Sequence, residues 1–421
     1  MLELWFDFSC PYAYLASRKA PALARALGVE LAWKPMLLGG VFRGIGAGDG
    51  PMATLGPAKA AHNLRDMQRW AEILGAPFRM PAGHPMRTVR ALRTLLALPE
   101  ARWPAAIDAI YAAYWQRGDD ITQDAVLAAA LGAIPEAGAA LAQADDPAIK
   151  QELVRRTDEA IALGVFGAPA WVVRTAGAEP LLIWGQDRMP WVETVLAGWD
   201  PDRDAPPGGP RPVGTGAEPF RSPRALDIYF DVASPYAYFA LTQVRALGAL
   251  AGIAPRLRPI LLGGLFRDIG QVDVPIARMS QAKQRYTMRE LGRWSRWWGE
   301  PFRWPAKFPQ RTIAAQRLCV VAGDDPALAV ALGRAMWAEN RDLEDEAVLA
   351  SVLEQCGLPR EWLARTQEPA VKAQLIANGA AAKAAGVFGV PAFVVDEQHL
   401  VWGQDRLDLV VRMLAGWDPA T

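Results

Sequence analysis

The sequence predicts an α/β protein made of two consecutive copies of one module, each a βαβ unit, a helical insertion and a closing ββα unit. Three observations carry this. FDFSCPYAYLA (6–16) returns as FDVASPYAYFA (230–240), and the same offset of 224 residues takes LLGGVFRGIG (37–46) onto LLGGLFRDIG (261–270). Later, GVFGAPAWVV (164–173) matches GVFGVPAFVV (386–395), and WGQDRM (184–189) matches WGQDRL (402–407). Between the copies, residues 201–225 hold seven Pro and four Gly, which excludes a helix or a central strand and suits an extended linker. The expected domains are 1–200 and 224–421, joined by a linker over 201–223.

Each element follows from local pattern. Residues 2–8 and 226–232 are short, apolar and aromatic-rich, as strands are. Cys10-Pro11 and Ser234-Pro235 then signal a helix start, because Pro suits the first helical position. Helices through Leu27 and Leu247 lead to second strands near 29–34 and 254–258. Strand, helix and strand in so short a span imply a parallel pair. The Ala/Leu/Arg-rich middles, about 51–163 and 275–385, have helical periodicity broken by turns. Short strands at 170–174 and 181–184 and a last helix close the module. This is the order of a thioredoxin-like fold with an inserted helical domain.

Composition narrows the function classes. Hydrophobic residues make up 52% and charged residues 21%, a globular balance. Lys plus Arg equals Asp plus Glu at 45 each, so no net field argues for nucleic acid or an anionic membrane. No apolar run reaches the roughly 18 to 20 residues that span a bilayer. MLELWFDF at the start carries Glu3 and Asp7 and reads as a strand, not a secretory signal. Cys10, Cys319 and Cys356 are spaced for neither a disulfide framework nor a zinc site, and a cytoplasmic location is expected.

Cys10 and Ser234 occupy one slot, between a strand and a helix. A helix N-terminus offers free N–H groups and about half a positive charge, which stabilises an anion such as a thiolate. It can lower a thiol from about 8.5 into a range of roughly 3.5 to 7.5, so Cys10 is expected to be the most reactive of the three cysteines. The plainer alternatives are Ser234 as an N-cap, and Ser9 capping beside a buried Cys10. Ala168-Pro169 and Val390-Pro391 precede the third strands and suit cis peptides whose neighbouring backbone can pair with an extended peptide. Asp187 and Asp405, within WGQDR, are either N-caps or carboxylates for a ligand ammonium group. Lys59 and Lys283 stand at equivalent points of the insertions, where a solvated helix face is the default. Most of the 17 Trp residues belong to cores or interfaces.

Taken together, FDxxSPYxYLA, LLGGxF, DxxRW, GVFGVP and WGxDR resemble the 2-hydroxychromene-2-carboxylate isomerase family. That family is close to kappa-class glutathione transferases and more distantly similar to DsbA thiol oxidoreductases. The resemblance covers nearly all of both modules. It implies homodimers that bind glutathione at the first helix, where a serine, here Ser234, holds the thiolate. It further implies that Ala168 and Val390, before their prolines, pair with the cysteinyl part, and that Gln186, Asp187, Gln404 and Asp405 bind the γ-glutamyl end. Cys10 takes the serine's place in the first copy, where DsbA-like proteins carry their attacking cysteine, but Ala13 and Ala237 stand where a second cysteine would fall. Ala47 and Gln271 replace a usual Asn, His62 replaces the Tyr kept as Tyr286, and Glu290 replaces the Asp kept as Asp66. The expected function is glutathione-dependent isomerisation or transfer on an unsaturated aromatic acid or similar electrophile, with turnover in the second copy. The modules are expected to pack as an intramolecular pseudo-dimer. A thiol–disulfide oxidoreductase using Cys10 alone and a non-catalytic glutathione- or peptide-binding module are the alternatives.

Overall fold

The computed structural model describes the chain except residues 49, 51, 53, 54, 273, 420 and 421. The expected start of the first insertion at 51 and the chain end at 421 therefore lie outside the described residues. Two four-stranded sheets are present. The first contains β1 (Leu2–Phe6), β2 (Leu31–Pro35), β3 (Ala170–Val173) and β4 (Leu181–Trp184) in the order β2-β1-β3-β4. The second contains β5 (Leu226–Phe230), β6 (Arg256–Pro259), β7 (Ala392–Val395) and β8 (His399–Trp402) in the order β6-β5-β7-β8. In each, the first two strands pair in parallel and the rest antiparallel. The chain thus folds into two thioredoxin-like modules, each with its helices inserted between the second and third strands.

The central strands β1 and β5 are buried along their whole length, which is why they read as unbroken apolar runs. Each still carries one acid, and each acid is answered by bases nearby. Glu3 accepts from Arg174 at 2.6 Å, and Asp227 accepts from Arg258 on β6 at 2.7 Å. The second strands begin two residues later than the pattern suggested, at Leu31 and Arg256. The helix Pro11–Ala26 ends as expected, but its counterpart Pro235–Ala251 runs on past Leu247. Gly252, at φ 61°, supplies the left-handed stop that Gly248 does not.

The Pro/Gly-rich segment carries no helix or strand, yet it is docked on the second module. Arg211 N–H donates to Trp297 at 2.7 Å, and Phe220 and Ser222 N–H donate to Leu250 and Ala251 at 2.8 Å each. Asp202 takes Arg293 at 2.8 Å.

Two helices of the insertions, Pro57–Ile73 and Gln281–Trp298, each reach the other module's outermost strand. Arg69 donates to the Leu400 carbonyl at 2.7 Å, and His62 Nε2 accepts the Trp402 N–H at 3.2 Å. Arg293 donates to the Leu182 carbonyl at 2.8 Å, and the Tyr286 hydroxyl accepts the Trp184 N–H at 2.8 Å. Side chains thereby satisfy sheet-edge groups that would otherwise need water or another strand. On one side the contact is reinforced by Trp191 against Trp294 and Trp199 against Trp297, with centroids 4.4 and 5.4 Å apart. The tryptophans expected in interfaces are found in one.

Candidate functional site

Ser234 is the N-cap of helix Pro235–Ala251. Its hydroxyl accepts the Ala237 N–H at 3.3 Å and donates to the Val390 carbonyl at 3.3 Å. Cys10 caps helix Pro11–Ala26 without a side-chain cap bond, and its thiol donates to the Ala168 carbonyl at 3.0 Å. Ser9 does not cap the helix in its stead; its hydroxyl turns to Asp7 at 3.1 Å. Burial dominates at Cys10 and pushes the thiol up to about 12, despite the nearby N–H groups of Ala13 and Tyr12. The expectation of a lowered, reactive thiol is thus overturned: desolvation of a thiolate in this 8%-exposed slot outweighs the helix end. Cys319 is pushed up in the same way, and Cys356 is the least buried of the three.

Both expected prolyl bonds, Ala168-Pro169 and Val390-Pro391, are cis. The carbonyls of Pro169 and Pro391 accept the N–H of Gly185 and Gly403 at 3.0 Å, which stitches the WGQDR turn to the proline. These glycines have φ of 111° and 103°, and a Cβ would fall within 2.4 and 2.3 Å of Asp187 and Asp405 Oδ1. Only glycine fits there.

Asp187 and Asp405 cap no helix. Each lies in a buried cluster with Asp66, Glu290, Arg188 and Arg406. Arg188 pairs with Asp187, with Glu290 at 3.0 Å and with Asp405 at 2.8 Å. Arg406 pairs with Asp187, with Asp66 at 3.1 Å and with Asp405 at 3.2 Å. Tyr12 adds its hydroxyl to Asp66 at 3.1 Å. Four carboxylates thus face two guanidinium groups. Burial pushes Glu290 upward, Arg188 only partly opposing it. At Asp405 burial acts the same way, but Arg406 and Arg188 prevail and hold it below the usual carboxylate range.

Lys59 and Lys283 are not on solvated faces. Lys59 lies over the Trp402 ring at 4.9 Å, and Lys283 over the Trp184 ring at 5.3 Å, each against the opposite module. Burial lowers both. Lys59 and His62 of the first module therefore stand against Trp402, the strand partner of Ala392 just past Val390-Pro391, and Asp66 reaches Arg406. In the same way Lys283 and Tyr286 of the second stand against Trp184, the strand partner of Ala170 just past Ala168-Pro169, and Glu290 reaches Arg188. Gln186 and Gln404 are both buried; Gln404 accepts from Trp298 at 2.6 Å, whereas no partner is found for the Gln186 amide among the described residues.

Arg188 and Arg406 were missed as site residues. Their sole signal was the repeated arginine of WGQDR, and nothing local shows that it reaches across modules. Trp184 and Trp402 were likewise visible only as repeated letters.

Residues 1–197 and 225–415 each match the model described as a DSBA-like thioredoxin domain. Glutathione S-transferase kappa 1 of Rattus norvegicus is 27% identical over 210 residues, which is 46% of this chain and 92% of that protein. A 2-hydroxychromene-2-carboxylate isomerase of Sphingobium xenophagum is 28% identical over 195 residues, 44% of this chain and 96% of its own length. A solved structure of 2-hydroxychromene-2-carboxylate isomerase aligns with a TM-score of 0.41 at 26% identity, covering 47% of this chain and 94% of that one. No helix among the described residues is long and apolar enough to cross a membrane.

Proposed function

Since the chain belongs to the DSBA-like thioredoxin domain family, we propose that it is a glutathione-dependent isomerase or transferase whose turnover resides at Ser234. The reading rests on one observation. The Ser234 hydroxyl, at a helix N-terminus, bonds the Val390 carbonyl before the cis Pro391, and Trp402, the strand partner of Ala392 just past that proline, lies under Lys59 of the first module. The naming of relatives as glutathione transferases and 2-hydroxychromene-2-carboxylate isomerases supports the same class.

The residues suit a zwitterionic peptide. The carboxylate excess around Asp405 and Asp66 suits an ammonium group, and Lys59, which has no ion-pair partner among the described residues, suits a carboxylate. The Val390 backbone would align an extended cysteinyl unit. Glutathione, when bound, supplies a nucleophilic thiol that adds reversibly to a polarised double bond. On turning its proton from the Val390 carbonyl, Ser234 donates a hydrogen bond to that sulfur, and the helix N-terminus adds its partial charge. The buried surroundings exclude water and strengthen both effects.

The two modules act as an intramolecular pseudo-dimer in this reading, each completing the other's site, and the second substrate is an unsaturated aromatic acid or similar electrophile. The three free cysteines suit the cytoplasm. Thiol–disulfide exchange at Cys10 is disfavoured by its raised thiol and by Ala13 at the resolving position. A purely binding role would give glutathione affinity without turnover. The test compares Ser234→Ala with Cys10→Ala in glutathione binding and in glutathione-dependent turnover of an unsaturated aromatic acid. Losing the charge-assisted bond should slow Ser234→Ala roughly ten- to a hundredfold. Full activity in Ser234→Ala with none in Cys10→Ala reverses the assignment.

A further inference from the structure

Three residues before each N-cap, Cys10 and Ser234, an aspartate closes the turn from strand to helix. Asp231 is 2% exposed, and no cationic side chain among the described residues is bonded to it. Its carboxylate accepts the N–H of Ala233 at 3.0 Å, the N–H of Leu262 at 2.8 Å and the Thr312 hydroxyl at 2.8 Å. Its own carbonyl takes the N–H of Ser234 at 3.0 Å. One side chain thus joins three pieces: the turn that carries Ser234, the start of helix Leu262–Asp268, and the start of helix Ile313–Ala322 in the insertion. Thr312, the N-cap of that last helix, gives its hydroxyl to Asp231 and makes no cap bond of its own.

The arrangement is repeated in the first module. Asp7 accepts the N–H of Ser9 at 3.0 Å, the N–H of Leu38 at 2.7 Å and the Thr88 hydroxyl at 2.6 Å, and its carbonyl takes the Cys10 N–H at 3.1 Å. A buried carboxylate with no cation is costly to keep. Burial pushes both Asp7 and Asp231 upward, and only these short bonds oppose it. Val232, directly after the aspartate, is fixed independently: Trp337 donates to the Val232 carbonyl at 2.8 Å, and Gln316 accepts the Val232 N–H at 3.3 Å. With residues 231 to 233 held in this way the backbone of Ser234 is placed, and its hydroxyl lies between the Ala237 N–H and the Val390 carbonyl.

We infer that Asp231 is the positioning residue that holds Ser234 where its hydroxyl, on turning its proton away from the Val390 carbonyl, meets the glutathione sulfur, an inference that rests on the Ser234 reading above. Asp231 does not touch the sulfur and acts only through Ser234. Asp7 is its internal standard. Whatever such an aspartate does for folding it does in both modules; what it does for Ser234 it does once.

The experiment uses the full chain and reads the ionisation of protein-bound glutathione from thiolate ultraviolet absorbance, with S-methylglutathione as the blank. Asp231→Asn, Asp7→Asn, Ser234→Ala and the Asp231→Asn/Ser234→Ala pair are compared, with thermal unfolding of each. Ser234→Ala and Asp231→Asn should each weaken thiolate stabilisation roughly tenfold, and the double variant no more than Ser234→Ala alone. Asp7→Asn should lower thermal stability as Asp231→Asn does and leave the bound thiol unchanged. If the double variant adds both losses, or Asp7→Asn shifts the thiol equally, Asp231 is structural and the inference falls while the Ser234 reading stands. If Ser234→Ala leaves the thiol unmoved, the Ser234 reading falls and takes the inference with it. Should Asp231→Asn not yield folded protein, Thr312→Val withdraws a single donor, and its additivity with Ser234→Ala decides the matter in the same way.

Discussion

Replacing His62 by Tyr should remove an acid sensitivity that the second module's equivalent residue does not have. His62 is 4% exposed and accepts the Trp402 N–H at Nε2, so its proton sits on Nδ1, for which no partner is found among the described residues. A second proton would destroy that acceptor inside an apolar setting of Phe388 and Trp402 rings. Burial accordingly lowers His62 from 6.5 to about 4; Asp66 resists the shift, while Arg69, Arg406 and Arg65 add to it. Between these two values the unfolded chain binds a proton that the folded chain refuses, so stability falls as pH falls through this window. At about 1.36 kcal/mol per pH unit, the full loss is about 3 kcal/mol. Tyr at this position can accept the same N–H, as Tyr286 does from Trp184 at 2.8 Å, and does not titrate there. The assay is urea unfolding followed by tryptophan fluorescence, from neutrality down to about pH 4. Other buried acids titrate in both proteins and cancel in the difference. The wild type should lose about 3 kcal/mol more than His62→Tyr. Equal losses in the two proteins would refute the assignment of a neutral, buried His62.

Three further outcomes are expected. In native protein at neutral pH, a thiol reagent should label Cys356 first, with Cys10 and Cys319 following only as the fold opens, as peptide mapping would report; early labelling of Cys10 contradicts its burial. Arg406→Gln leaves Asp66, Asp187 and Asp405 short of a guanidinium group and should cost about 3 to 5 kcal/mol in denaturant unfolding at neutral pH, less as the carboxylates are protonated. Gly403→Ala should cost about 1 to 3 kcal/mol and weaken glutathione binding by displacing Asp405. Gly416→Ala, at the same φ of 103° with nothing within 4 Å, carries the backbone strain alone, so the excess at position 403 measures the clash.

The fold was legible because its signals are local. A strand, a Pro-started helix and a glycine-flanked proline each leave a mark within ten residues, and the repetition of FDxxSPY, LLGG and WGQDR tied those marks into two equal modules. The candidate slots at Cys10 and Ser234 and the cis prolines were legible for the same reason. What was not legible depends on partners far apart in sequence. Lys59 meets Trp402 and Arg188 meets Asp405 only after both modules have folded, and no periodicity records that pairing. Cys10 failed differently. The helix end that favours a thiolate is a local feature, but the burial that opposes it comes from the packed surroundings and wins.

The reciprocal supply of side chains also changes what one mutation does. In a two-fold dimer of identical chains, every substitution strikes both sites at once, so neither can change alone. Here codon 234 alters one site and codon 10 the other. Codon 62 acts on the site built around residue 234, not on the one next to it in sequence. The His/Tyr, Asp/Glu and Cys/Ser differences between the halves therefore form two separate combinations open to selection one at a time.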